Sequence, residues 1–299
     1  MRVAALALTC YAWASADTVK PLQFGPYFVN QINMTGSPAG YDYVLTNGLY
    51  HFQVGWIEPI AASANGIFRD TYFETAANIN ISPFTSDLGT TVNLKPIRWL
   101  EFGLSYNRLM FHGSMVAFAR KDSETVEKSL YLPANIYSAD KQLSGADIFT
   151  YQGNLTFDAG PSQLFFSASR ALWDIDAVGK NYVFEYGDGF LIKTRDRVNN
   201  LSAQISLDLR PMTIFSKVSF VGLAVRDQYW STDHTSIKRN LVSAGITGFR
   251  LGQNPANHRR GLDLSLGYWT LHDQVPSGDI AKSIMIIADW QWNIHVLKI

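Results

Sequence analysis

From about residue 24 onward, apolar and polar residues alternate with a period of two, and the alternating runs are long. Leu201, Ala203, Ile205, Leu207 and Leu209 alternate with Ser202, Gln204, Ser206 and Asp208. Leu100, Phe102, Leu104 and Tyr106 alternate with Glu101, Gly103, Ser105 and Asn107. Leu262, Leu264, Leu266 and Tyr268 do the same with Asp263, Ser265 and Gly267. Period two is the mark of a strand with two different faces. The runs are about 10–14 residues long, whereas strands of soluble proteins average about 5–6. A strand crossing a bilayer at a tilt needs about 9–11. In lipid an unpaired backbone group has no water to bond, so strands that span must close into a ring. The pattern therefore predicts an all-β fold, a transmembrane antiparallel up-and-down β-barrel.

The connections agree with that fold. Lys95-Pro96-Ile97-Arg98, Ala159-Gly160-Pro161 and Arg210-Pro211-Met212 are tight. Gly113 to Ala146, Trp173 to Arg197, Asp227 to Arg239 and His272 to Asp279 are long and polar. Short turns on one side and long loops on the other are the habit of such barrels. A strand set of 24–34, 43–56, 69–82, 87–95, 99–112, 147–158, 162–173, 198–209, 213–226, 240–250, 261–271 and 281–297 puts the tight turns on one side. That gives about 12 strands, with a range of 10–14. The upper end counts Tyr182 to Tyr186 and Phe190 to Lys193, a hairpin around Gly187-Asp188-Gly189, as two more wall strands.

The N-terminus predicts export. Arg2, an apolar run from Val3 to Trp13 and the small-x-small sequence Ala14-Ser15-Ala16 have the layout of a cleaved signal peptide. Residues 1–16 are read as that peptide, and 17–299 as one barrel domain. Cleavage removes Cys10, the only cysteine, and with it any thiol nucleophile or cysteine metal site. Basic and acidic residues number 25 each, so nothing points to a nucleic-acid partner. Charged residues are 17% against a usual ~25%. Few charges in a chain without an apolar helix of about 20 residues suit a wall whose apolar face meets lipid.

Taken with the signal peptide and the dyad strands, the last run carries a resemblance. Ile284, Ile286, Ala288, Trp290, Trp292, Ile294 and Val296 alternate with Asp289, Gln291, Asn293 and His295. The chain resembles, at the level of the class, bacterial outer-membrane β-barrel proteins. The resemblance implies a location in the bacterial outer membrane and contact with its lipid. Proteins of that class often end in Phe or Trp, whereas this chain ends Leu297-Lys298-Ile299.

Two groups of residues are candidates for chemistry. The inner face is the first. By parity Glu74, Asn78, Asn80, Glu101, Gln152 and Asn154 point inward. So do Gln204, Asp208, Asp263, Asp289, Gln291 and Asn293, with Lys217 beside them. A polar interior either fills itself through internal pairs or passes a small solute. The expected role is accordingly a structural barrel or a narrow, porin-like channel, with no cofactor and no metal. The second group is His112 and Ser114 at the end of the strand 99–112. Both share the parity of Leu100, Phe102, Leu104 and Tyr106, which places them at the lipid side. His112-Gly113-Ser114 is similar to the His-x-Ser arrangement of outer membrane phospholipase A and the lipid A deacylases. That likeness implies a serine nucleophile with a histidine base acting on a lipid ester. Met115 follows where those families usually have Asn. Trp56, Trp99, Trp173, Tyr229, Trp230 and Trp269 lie near strand ends, where they are expected to form girdles at the membrane interfaces.

Overall fold

The computed structural model describes residues 25–36, 47–60, 66–68, 71–81, 85–111, 119–120, 145–176, 182–185, 190–208, 213–215, 218–219, 222–251, 260–272 and 284–295. Twelve long strands among them form the wall. They are β1 (Gly25–Gly36), β2 (Asn47–Pro59), β3 (Tyr72–Ile81), β4 (Thr85–Ile97), β5 (Leu100–Phe111) and β6 (Gly145–Ala159). The second half comprises β7 (Ser162–Ile175), β8 (Arg195–Asp208), β9 (Gly222–Thr232), β10 (Lys238–Leu251), β11 (Arg260–His272) and β12 (Ile284–His295). Each pairs antiparallel with the next. β10 meets β11 from Arg239 opposite His272 to Phe249 opposite Leu262, and β11 meets β12 from Arg260 opposite Trp292 to Tyr268 opposite Ile284. β12 returns to β1, with Asn33 opposite Gln291 and Thr35 opposite Asp289. Following the pairings from strand to strand thus leads back to the start, and no wall strand has a free edge.

The wall is two-faced, and the polarity is inverted relative to a soluble protein. Along β3 every even residue from Tyr72 to Asn80 is buried, and every odd residue from Phe73 to Ile81 is exposed. The exposed set across the wall is apolar: Val54, Phe73, Ile79, Leu88, Phe102, Leu104, Phe149, Ile205, Val225 and Leu266 among others. The buried set is largely polar: Glu74, Asn78, Asn80, Asp87, Asn107, Gln152 and Gln204. Apolar outside and polar inside is stable only where the outside medium is hydrocarbon. The fold is therefore a transmembrane antiparallel β-barrel.

Where β5 to β8 approach their loop ends, the outer face changes from apolar to charged. Arg108 on β5, Asp147 on β6, Asp174 on β7 and Arg195 on β8 stand in one row, each directly opposite the next. Arg108 Nη1 lies 2.8 Å from Asp147 Oδ2, and Arg195 Nε lies 3.2 Å from Asp174 Oδ1. Exposed pairs of this kind add little stability. They mark the level at which the apolar band gives way to water and headgroups.

Two sequence expectations are corrected here, and one alternative is decided. The strand expected over 213–226 is β9 at Gly222–Thr232; Thr213–Phe215 and Val218–Ser219 form a short pair that continues onto the end of β10, Val218 opposite Leu251. Leu223 and Val225 take the outer face; Phe220 lies outside the described residues. Consequently the long polar loop expected from Asp227 to Arg239 is mostly strand, closed by a tight turn at 233–237. Asp196 makes that turn: its carboxylate accepts from His234 N at 2.9 Å and from Thr235 Oγ1 at 2.5 Å. Finally, Tyr182–Glu185 and Phe190–Lys193 pair as a hairpin outside the wall, joined by Ala119–Arg120. Of the 12 and 14 strands considered, the ring has twelve.

Candidate functional site

The inner face is built by strands whose polar residues recur every second position. On β1 to β5 these side chains bond one another. Tyr27 on β1 donates to Glu74 Oε1 on β3, reaching across β2. It can do so because Gly55 lies beneath its ring: a Cβ there would stand 2.5 Å from Tyr27 Cζ. Asn93 Nδ2 on β4 donates to Glu74 Oε2 at 2.8 Å, and Gln53 Nε2 on β2 donates to Tyr27 Oη at 2.5 Å. His51 stands 3.0 Å from Gln53 Oε1 through Nε2 and 2.5 Å from Asn80 Oδ1 through Nδ1. Asn80 Nδ2 donates to Asp87 Oδ1 at 2.7 Å. Asn78 extends the cluster toward Asn107 across Gly89, where a Cβ would collide with the Asn107 amide. Gly103 gives the same clearance to Asn93 and Gln152. Lower on the wall, Tyr72 Oη donates to Glu101 Oε2 at 2.8 Å, and Asn154 Nδ2 approaches Glu101 Oε1 at 3.4 Å.

Glu74 and Asp87 are only 1% and 2% exposed. A carboxylate so enclosed is tolerated because it is hydrogen-bonded. This half of the interior is packed with polar side chains, many of them bonded to one another, while Asn93 Oδ1 and Ser105 Oγ find no partner among the described residues.

The opposite half differs. In a ring of twelve, β10 lies six strands from β4, directly across the barrel. On β9 the inner residues Arg226, Gln228 and Trp230 are only half-buried, whereas Ala224 and Thr232 on the same face, and Ser202, Gln204, Leu241 and Ser243 on the flanking strands, are buried. Arg226 donates from Nε to Ser202 Oγ on β8 at 3.0 Å. Toward the loop end Trp230 and Trp269 approach with ring centroids 5.9 Å apart, and Arg239 Cζ lies 5.9 Å from the Trp269 ring.

Of the residues expected to point inward, Glu74, Asn78, Asn80, Gln152 and Gln204 are buried on the inner face, and Glu101 and Asn154 are half-buried there. Asp208, Asp263, Asp289, Gln291 and Asn293 belong to strands of the wall, but their side chains lie outside the described residues. Lys217, His112 and Ser114 lie outside them altogether. The girdle expectation divides. Trp56 and Trp99 are outward and exposed, Trp99 stacking on Phe157 at 6.0 Å. Trp173, Trp230 and Trp269 are on the inner face instead, Trp173 being 4% exposed. Their strand parity is opposite to that of Leu172, Leu223 and Leu266. Among the described residues, no three His, Asp or Glu side chains gather as a metal would require.

Closed strand pairing and inverted polarity define the class, a membrane-spanning β-barrel. No family model and no curated protein matches the chain. Solved structures similar to it include the β-domain of the Bordetella autotransporter BrkA. That match has 10% identity and a TM-score of 0.36, covering 90% of this chain and 98% of that one. The translocator domain of the autotransporter NalP from Neisseria meningitidis is similar at 10% identity and a TM-score of 0.36, covering 97% and 96%. OmpT, an outer membrane protein of Vibrio cholerae, is similar at 7% identity and a TM-score of 0.38, covering 93% and 99%. Likeness this loose says nothing of activity.

Proposed function

We propose that this chain is a bacterial outer-membrane barrel that passes small solutes along the β8–β11 side of its interior. One observation carries the reading: the inner face is least filled along the middle of β9, where three successive inner side chains are only half-buried. Glu74, Asn80, Asp87 and Asn107 are buried and mutually bonded, whereas Arg226, Gln228 and Trp230 keep part of their surface open. A twelve-stranded barrel is narrow enough for side chains to close much of it. The path that remains runs past β9. The leader-like residues 1–16 and the apolar outer face support placement in the outer membrane, with its lipid as the surrounding partner.

The test is single-channel recording in planar bilayers with the purified barrel. The expected result is small, uniform conductance steps, lowered by Gln228→Trp and little changed by Thr91→Trp on the filled side. Absence of steps at any voltage would overturn the reading and leave a barrel that only builds the membrane.

A further inference from the structure

We propose that the outward face of β7–β9 is the interface of a membrane-embedded dimer. Leu201 lies on its two-fold axis, and Arg170 of each copy meets Asp227 of the other. The proposal goes beyond the solute path and does not depend on it.

Asp227 stands where a lipid-facing wall tolerates a charge least. Directly opposed residues form a row across the wall, from Leu100 on β5 through Phe166, Ala203, Asp227 and Val242 to Ile284 on β12. Leu100 begins its strand at a tight turn, and Ile284 begins its strand at a long loop. The row therefore climbs from one rim of the barrel to the other, as tilted strands require. Asp227 is on the fifth of the eight strands crossed, near mid-height. It is outward and exposed, with no hydrogen bond or ion pair among the described residues. Ala203 and Val242 are directly opposite it, and neither flanking strand has a cation within two residues of them. A carboxylate facing hydrocarbon at this depth is costly and calls for a partner.

A second copy of the chain supplies that partner. Leu201 on β8 is directly opposite Ala168 on β7 and Tyr229 on β9. Arg170 is outward, two residues past Ala168 toward the loop end; Asp227 is two residues from Tyr229 in the other direction. Leu201 is therefore midway between them. Because rows rise from β7 to β9, the two opposite displacements bring Arg170 and Asp227 to a similar height. A two-fold axis along the membrane normal keeps height and exchanges left with right. Placed through Leu201, it sets β7 of each copy against β9 of the other, and so Arg170 against Asp227 twice. The charges match. Arg170 and Arg197 share one acid, Asp233, so two guanidiniums stand against one carboxylate. The second carboxylate is Asp227 of the other copy, and the Arg170 side chain is 32% exposed toward it. The surface matches too. Leu201 is 53% exposed, and the small Ala168 and Ala203 beside it leave room for the other copy's leucine.

Counting photobleaching steps of the fluorescently labelled full chain in liposomes, over a range of protein-to-lipid ratios, tests this. The wild type is expected to dimerise. Asp227→Lys and Arg170→Glu, each alone, put like charges at both contacts and are expected to weaken dimerisation at least about tenfold. Mixed in equal amounts, the two variants are expected to pair with each other at near wild-type strength, because the mixed dimer has one native and one exchanged contact. Leu201→Cys in a Cys10→Ala background is expected to be cross-linked between copies by a short bismaleimide. Leu104→Cys, outward on β5, is the control and is expected not to be. A wild type that stays monomeric, leaving the face to lipid or to another protein, would overturn the proposal. So would a mixture that dimerises no better than its parts, or a cross-link at position 201 no stronger than at 104. The β-sheet circular dichroism signal shows that each variant has folded. If a charge variant does not fold, the wild-type and position 201 results still decide.

Discussion

Replacing Ile205 by arginine lowers the stability of the barrel in liposomes by about 2–4 kcal/mol, the cost of a basic side chain facing lipid near mid-depth. Gln204→Glu, one residue away, leaves it nearly unchanged. Ile205 is 58% exposed and Gln204 8% exposed, on adjacent positions of β8. On the outer face Ile205 is flanked by Ala203 and Leu207 and is directly opposite Val225, so an arginine there finds hydrocarbon on all sides. On the inner face Gln204 is directly opposite Arg226, so a glutamate gains a cationic neighbour. Reversible unfolding of both variants in urea, in liposomes of one lipid, gives the comparison. Equal losses would mean that β8 does not separate two media. A reversed order would mean that the register is slipped by one residue, which exchanges the faces of the whole strand.

Glu74→Ala is the second large effect, with an expected loss of about 2–4 kcal/mol. The carboxylate is almost fully enclosed and accepts from Tyr27 Oη and from Asn93 Nδ2. Removing it takes the acceptor from a buried donor, Asn93 Nδ2, and from the part-buried Tyr27 hydroxyl, a buried unmet donor being worth about 1–3 kcal/mol. Glu74→Gln, which keeps one acceptor and the volume, is expected to lose about half as much. Tyr27→Phe should couple to Glu74→Gln by about 0.5–3 kcal/mol in a double-mutant cycle, since the two share one bond. Thr75→Ala, exposed on the other face of the same strand, is the control. If Glu74→Ala were as mild as Thr75→Ala, water would be filling that half of the interior, and the filled side on which the solute path depends would not exist.

Much of this arrangement is legible in the sequence because a strand has only two faces. Once Phe73, Ile79 and Ile81 are taken as outward, Glu74, Asn78 and Asn80 must be inward, and they are. The same rule places Trp269 inside, since its neighbours Leu266 and Tyr268 are outward. Reading Trp269 as a girdle residue gives its nearness to a strand end more weight than its parity. Trp230 is harder to place. Its face follows only from the correct bounds of β9, and Asp227 blurs them by standing outward and exposed between Val225 and Tyr229. The bonds across the interior are not legible at all. Tyr27 meets Glu74 by passing over an intervening strand, and Gly55 and Gly89 matter only through side chains on strands to either side. Pairing order between distant strands decides such contacts, and local pattern does not contain it.

The central claim is a closed wall with lipid outside and packed polar groups inside. Spin labels attached to single cysteines at positions 73 to 81 of β3 test it directly, in a Cys10→Ala background that removes the only native thiol. Oxygen concentrates in lipid and a nickel chelate stays in water, so collision rates with the two report the medium at each position. In liposomes, labels at 73, 75, 77, 79 and 81 are expected to relax with oxygen. Labels at 74, 76, 78 and 80 are expected to be shielded from both reagents. Oxygen access at the even positions, or no alternation along the strand, would contradict the account.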